Sequence, residues 1–280
     1  MKKRDRSIIP GIKEMKKHIR SRGRVVRLIY IVLTALVVIT MLRSLIRGEY
    51  AGVPICFLTL TLFMLPAIVE KNFRLYLPRF FEGTVLIFIF AAEILGEINS
   101  YYQKIPHWDT VLHTVNGFMF AAFGFALLDM INRDGKIKFK LSPLYLSLVA
   151  FCFSMTVGVF WEFFEFGADQ FFHTDMQKDT YLSEIYTFTL DAPSNNAIVS
   201  LEKIDEISIH SGNGETTVLH SYLDIGLVDT MEDLIVNCVG AFCFSVIGFF
   251  FLKNKGRGRL AGQFIPRLLE QEENHDFLAE

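Results

Sequence analysis

The stretch WDTVLHTVNGFMFAAFGFALLDM, residues 108–130, decides the fold. Wound as a helix at about 1.5 Å per residue, it reaches across the roughly 30 Å of hydrocarbon in a bilayer. Its ionisable residues are confined to its ends, with Asp109 and His113 at the start and Asp129 at the close. An apolar run of this length reads as a membrane span rather than a core helix of a soluble domain. Asp109 and His113 stand four residues apart, so they share one helical face, one turn from each other.

Outward from this stretch the same reading repeats. Leu28–Leu42 (lengthened by Val25 and Val26), Ala51–Val69, Phe80–Ile98, Leu144–Phe166 and Asp233–Leu252 are further spans. The expected fold is an all-α, polytopic bundle of six membrane helices. Pro54 and Pro66 lie near the ends of the second span, where a missing backbone donor matters least. Overall, 51% of the chain is hydrophobic, 28 residues are Phe, and the formal charge is only -2. That small net charge conceals a segregation of sign, so it says nothing about partners. Cys56, Cys152, Cys238 and Cys243 all fall in apolar runs, which points to buried thiols rather than a disulfide framework.

Charge placement sets the orientation. Eleven Lys or Arg lie in residues 1–27, three in 70–79, four in 131–140 and five from Lys253 onward. Arg43, Arg47, Lys104, Lys178 and Lys203 are the remaining five. The larger group belongs on the cytoplasmic side, which puts both termini inside a multi-pass protein of the bacterial cytoplasmic membrane. The layout is then a cytoplasmic basic arm (1–27), spans one to five (28–166), an extracytoplasmic acidic loop (167–232), the sixth span (233–252) and a cytoplasmic tail (253–280). The arm reads as a short surface helix against anionic lipid, not a nucleic-acid binder. No small-residue cleavage site follows the first span, so it is an uncleaved anchor.

The outer loop alternates apolar and polar residues at Tyr181–Leu190, Ile198–Ile209 and Thr216–Tyr222. Turn-forming clusters at 191–196 and 211–214 separate these runs, predicting a β-hairpin or three-stranded meander. The tail carries Glu270, Glu272 and Glu273 and reads as a solvated helix or unstructured segment.

With this topology four spans bring their acids to one leaflet. Glu93 and Glu97 close the third, and Asp109 and His113 open the fourth. Glu162 and Glu165 end the fifth, with Asp169 and His173 beyond, while Asp229, Glu232, Asp233 and Asn237 open the sixth. A carboxylate deep in a span costs about 2.5–3.5 kcal/mol even on insertion-based scales, so a shared site explains the coincidence better than scatter does. Simpler roles stand beside that reading. Glu97, Asp229 and Glu232 also suit helix-end charges, Asp109 a helix cap, and Asn237 a packing contact.

The expected catalytic set is Asp109, His113, Glu162, Glu165, Asp233 and Asn237, with Glu93 behind it. A divalent metal, the candidate cofactor, would be held by His113, Glu162, Glu165, Asp229 and Asp233. Three chemistries fit: metal binding, metal-free acid/base catalysis with Asp109 orienting His113, and cation or proton transport. Transport ranks last because the inner halves of the spans look apolar. The leading expectation is a membrane enzyme or modifier acting on a lipid or envelope intermediate. The competing class is a non-enzymatic protein whose cluster is structural and whose loop binds a partner.

The same residues carry a family resemblance. Asp109 through His113 with Gly117, Trp161-Glu162-Phe163-Phe164-Glu165, Met176-Gln177, and Asp229 through Asn237 with Gly240-Ala241 resemble the YjdF-like family of bacterial inner-membrane proteins. That family is functionally uncharacterised, so the resemblance implies motif residues rather than chemistry. The segment between Gln177 and Asp229 is longer than the family pattern. A weaker similarity is to VanZ-like membrane proteins linked to glycopeptide-antibiotic resistance. It rests on Asp109/His113, Glu162/Glu165 and Asp233/Asn237/Gly240, with Glu165 where that pattern commonly has Gln. It implies a site acting at the outer leaflet or envelope.

Overall fold

The computed structural model describes residues 11–73, 75–133, 141–191, 197–254 and 261–268. Among the described residues, five helical stretches are long and apolar enough to cross a membrane. They are α2 (Arg24–Arg47), α3 with α4 (Gly52–Leu62 and Leu65–Phe73), α7 (Trp108–Arg133), α8 (Pro143–Phe172) and α9 (Leu227–Lys253). The break between α3 and α4 falls at Phe63 and Met64, just before Pro66, whose ring cannot continue a helical hydrogen-bond ladder. The expected third span is a composite. α5 (Arg79–Phe90) runs directly into a π-helical segment, Ala91–Ile98, and Ala91 keeps α-helical angles at the junction. Glu93 and Glu97 both lie in this π-helical segment, and their four-residue spacing still sets them about one turn apart.

Two compact units divide the chain: residues 1–158 with 236–280, and residues 159–235. In the first, Phe81, Met119, Ala121, Ala122, Phe125, Leu146, Ala150, Ala241 and Phe244 form one buried cluster. Val26, Tyr30, Val37, Cys56, Phe63, Leu86, Ile89 and Ile94 form another around α2, α3 and α5. Small residues let backbones meet. A Cβ added at Gly117 would sit 2.1 Å from the Asn237 carbonyl oxygen, and one at Gly240 would sit 1.9 Å from that of Thr114. Ser154 Oγ donates to the Gly117 carbonyl at 2.7 Å, fastening α8 to α7. Cys56 is buried, but Cys152 and Cys243 lie on exposed helix faces, contrary to the expectation of four buried thiols.

The basic arm does more than orient the first span. Residues Ile12–Ser21 form α1, which turns Met15, His18 and Ile19 inward. His18 Nδ1 lies 2.7 Å from Glu70 and Nε2 2.9 Å from Glu82. Arg22 meets Glu70 at 2.9 Å through a terminal nitrogen, and its Nε approaches Glu82 Oε2 at 2.9 Å, off hydrogen-bond alignment. Tyr30 donates to Glu82 at 3.0 Å, and Tyr76 lies under the Arg22 guanidinium. Glu82 is fully enclosed. A buried Glu82 inside an expected span corrects the expectation that these spans are almost purely apolar away from the acid cluster. Burial was invisible because Glu82 belongs to a span whose flank looked like an ordinary interface.

Both His18 nitrogens face carboxylates, so only the doubly protonated ring can donate to each. Burial alone would lower the His18 pKa, but the hydrogen bonds to Glu70 and Glu82 outweigh it and raise the value above the ordinary histidine range. A raised folded-state pKa contributes stability that is full below the unfolded value of about 6.5 and is lost as pH rises through the folded value. The packing of α1 should therefore loosen above neutral pH. Amide exchange across Met15–Ser21 should accelerate with pH beyond the intrinsic rate in the wild type, and His18→Gln should remove that excess.

Part of the tail also returns to the first unit. Phe264, in α10 (Ala261–Phe264), stacks edge-on against Phe80 and Phe118, and Ile265 is buried. Strand β8 (Arg267–Leu268) then pairs with β1 (Leu75–Tyr76). This segment is docked where a solvated tail was expected. The acidic residues 270–273 lie outside the described residues.

The second unit contains the C-terminal part of α8, the start of α9 and the loop between them. Each alternating run breaks into two short strands. β2 (Thr180–Leu182) pairs with β7 (Tyr222–Asp224), β3 (Ile185–Thr187) with β4 (Val199–Leu201), and β5 (Ile207–His210) with β6 (Thr216–Leu219). All three ladders are antiparallel and two-stranded. The turn at Ser211–Gly214 closes the last of them as expected, whereas most of the 191–196 cluster lies outside the described residues. Ser221 ties the branches together by donating to the Leu182 carbonyl, while Ile204 N–H donates to the Ser183 carbonyl at 2.8 Å.

Candidate functional site

α8 carries its polar residues on a single stripe. Ser154, Gly158, Glu162, Glu165 and Ala168 are buried at spacings of three and four, while Phe160, Trp161, Phe163, Phe164 and Phe166 between them are exposed. α9 repeats the pattern with Asp233, Asn237, Gly240, Ala241 and Phe244 inward and Glu232, Ile235 and Val239 outward. Helical periodicity thus separates Asp233 from its neighbour Glu232, which the residue types alone cannot do. Both helices extend past the expected boundaries, α8 to Phe172 and α9 back to Leu227. Glu162, Glu165 and Asp233 therefore lie inside regular helix rather than at its frayed ends.

In the second unit these three acids meet. Glu162, Glu165 and Asp233 are 5%, 8% and 4% exposed. One carboxylate oxygen from each lies within 4.8 Å of the others. Two carboxylate charges about 4 Å apart repel by about 4 kcal/mol at the effective dielectric of a protein margin. Three in one enclosed place are compensated by protons, by a cation or by hydrogen-bond donors, and a cation serves all three at once.

The other expected residues are placed as follows. Asp109 Oδ1 and His113 Nε2 are 3.3 Å apart in the first unit, with the imidazole more enclosed than the carboxylate. Asp109 is inside the first turn of α7 rather than at its cap position. Asn237, also in the first unit, is 1% exposed, and its amide donates to Met155 Sδ at 3.6 Å. A Cβ on Gly158 would press on that amide at 2.7 Å, so Gly158 is what admits it. Glu93 is half-buried, and Glu97 is exposed. His107, His173, His210 and His220 are exposed.

Asp229, also expected among the ligands, lies at the junction of the loop with α9. Its Oδ2 accepts the Lys178 backbone N–H at 2.7 Å. Asp169 accepts backbone N–H groups from Met176 and Gln177 at 2.7 and 2.9 Å and the Thr174 hydroxyl at 2.7 Å. Gln177 Nε2 donates to Thr230 Oγ1 at 2.5 Å. Together these residues clamp the chain where it leaves α8 and where it enters α9. Gly226 completes the clamp: its φ is +118°, and a Cβ there would meet Gln177 Cβ at 2.5 Å. Gly226→Ala should therefore loosen the loop, speeding limited proteolysis within 173–226 while leaving helix content unchanged. Only the motif order Met-Gln and Asp-Thr hinted at this clamp, since partners 53 residues apart have no periodic signature.

The profile of a family described as "Predicted membrane protein (DUF2238)" matches residues 25–254. The chain belongs to the DUF2238 family of predicted membrane proteins. In this DUF2238 protein the match includes the three acids, the Asp109–His113 pair and the loop clamp, whereas α1 with His18 and Arg22 precedes it. An uncharacterised protein of Thermotoga maritima is 27% identical over 139 residues, covering 50% of this chain and 70% of its own. No solved structure matches the DUF2238 chain significantly.

Proposed function

We propose that Glu162, Glu165 and Asp233 form a divalent-cation site in a membrane enzyme acting on a lipid or envelope intermediate. The observation carrying this reading is the enclosure of three carboxylates with oxygens within 4.8 Å of one another. Their donor set is all oxygen, which suits a hard cation such as Mg²⁺ or Mn²⁺ better than Zn²⁺. Such a cation, when bound, would supply Lewis acidity to a substrate oxygen. The exposed Phe160, Phe163 and Phe164 on the opposite face of the same helix form an apolar surface suited to a lipid environment. His113, with Nε2 3.3 Å from Asp109 Oδ1 in the first unit, is assigned as an acid/base group oriented by that carboxylate. Asp229 is removed from the ligand set and given to the loop clamp.

This reading keeps the six-span topology, with Arg79–Ile98 as the third crossing and both termini on the cytoplasmic side, supported by the bias of Lys and Arg. The YjdF-like motif order supports the same choice of residues.

Metal content is the test. Purified wild-type protein equilibrated with Mn²⁺ and desalted should retain about one ion per chain. Glu162→Gln, Glu165→Gln and Asp233→Asn should each weaken retention by about 10–100-fold or more. A wild-type protein that retains neither Mn²⁺ nor Mg²⁺ removes the cation reading. If the variants lose fold instead of metal, the three acids are a structural network.

A further inference from the structure

The outward face of α1 is a separate feature. At about 100° per residue, Lys13, Lys16, Lys17 and Arg20 occupy an arc of about 100°. All four are exposed, and Arg24 at the start of α2 is exposed as well. Met15, His18, Ile19 and Arg22 fill the opposite arc, held inward by the contacts of His18 and Arg22 with Glu70 and Glu82. Glu14, which could neutralise the basic arc, is turned aside to Lys71 at 3.1 Å and to the Gly11 N–H. The ion pairs thus fix the rotation of the helix about its own axis and leave one sign of charge facing outward.

Position makes this charge meaningful. Two residues, Arg22 and Gly23, separate α1 from α2, the first apolar helix, so Arg20 lies about one turn of chain from it and Lys13 about three. At physiological ionic strength, screening acts over about 8 Å, comparable to the width of a helix. A cationic face at that level meets lipid phosphates before any soluble polyanion does. We propose that the Lys13/Lys16/Lys17/Arg20 face of α1 is a docking surface for anionic phospholipid headgroups. His18 and Arg22 serve it as positioning residues.

The full-length protein, stripped of lipid in a neutral detergent, can be titrated with phosphatidylglycerol and, separately, with phosphatidylcholine by native mass spectrometry. K13Q/K16Q/K17Q/R20Q should weaken phosphatidylglycerol binding at least tenfold and leave phosphatidylcholine unchanged. K16Q/K17Q should give an intermediate loss. Wild-type binding should fall steeply between 50 and 300 mM salt, roughly twofold or more, with the quadruple variant nearly flat. Removing three charges elsewhere, with R43Q/R47Q/K104Q, should change less than the two-charge variant K16Q/K17Q does. Equal phosphatidylglycerol binding by wild type and the quadruple variant overturns the proposal. So does a face-dependent affinity for inorganic phosphate or a duplex oligonucleotide that matches or exceeds that for the lipid.

Discussion

Glu82→Gln is expected to destabilise the protein by about 3–5 kcal/mol, because it strips the buried partner from two cationic groups at once. In the wild type, Glu82 Oε1 faces His18 Nε2 at 2.9 Å and accepts from Tyr30 at 3.0 Å, and its Oε2 forms an ion pair with Arg22 Nε at 2.9 Å. The amide keeps the size and one acceptor but supplies no charge, so Arg22, itself 5% exposed, loses half of its compensation. Unfolding in mixed micelles of increasing denaturing detergent should show the loss. The double variant Glu82→Gln/His18→Gln should recover part of it, since two neutral partners replace an unmatched pair. Additive losses in the double variant would mean that the contacts are not coupled.

The second large effect is steric. Gly240→Ala places a methyl group 1.9 Å from the Thr114 carbonyl oxygen and 3.0 Å from the Phe118 nitrogen, both backbone atoms with no rotamer to relax. Overpacking commonly costs about 1–3 kcal/mol when side chains can yield. Here two helices must separate, so the loss should reach or exceed that range. Gly167→Ala is the internal control. It is also in a helix, yet nothing lies within 4 Å of the added carbon, so it should be neutral or stabilising by up to about 1 kcal/mol. Midpoints of thermal aggregation for the two variants should therefore move in opposite directions from Gly240 to Gly167.

What the sequence could reveal follows from which forces have a period. Helical spans announce themselves by length and hydropathy, and the buried stripe Glu162/Glu165 or Asp233/Asn237 by spacings of three and four. The π winding of Ala91–Ile98 leaves no comparable mark, because its apolar content is that of an α-helical span. The His18–Glu82 contact links residues 64 apart across three elements, and a single chain offers no periodicity for such a pair. A clue did exist: His18 and Arg22 are one turn apart on the same face as Met15 and Ile19, an odd place for two cations unless acids wait opposite. The loop illustrates the reverse case. Its alternation was legible, but the break of each run into two strands depends on Ser183, Ile204 and Ser221 meeting in space.

The central claim is that three enclosed acids hold a divalent cation. Diffraction data from Mn²⁺-equilibrated crystals, collected on both sides of the manganese absorption edge, test it most directly. An anomalous peak bound by Glu162, Glu165 and Asp233, and lost in Glu165→Gln, is the predicted result. No peak there at saturating Mn²⁺, with the three carboxyl groups hydrogen-bonded to one another instead, would contradict it.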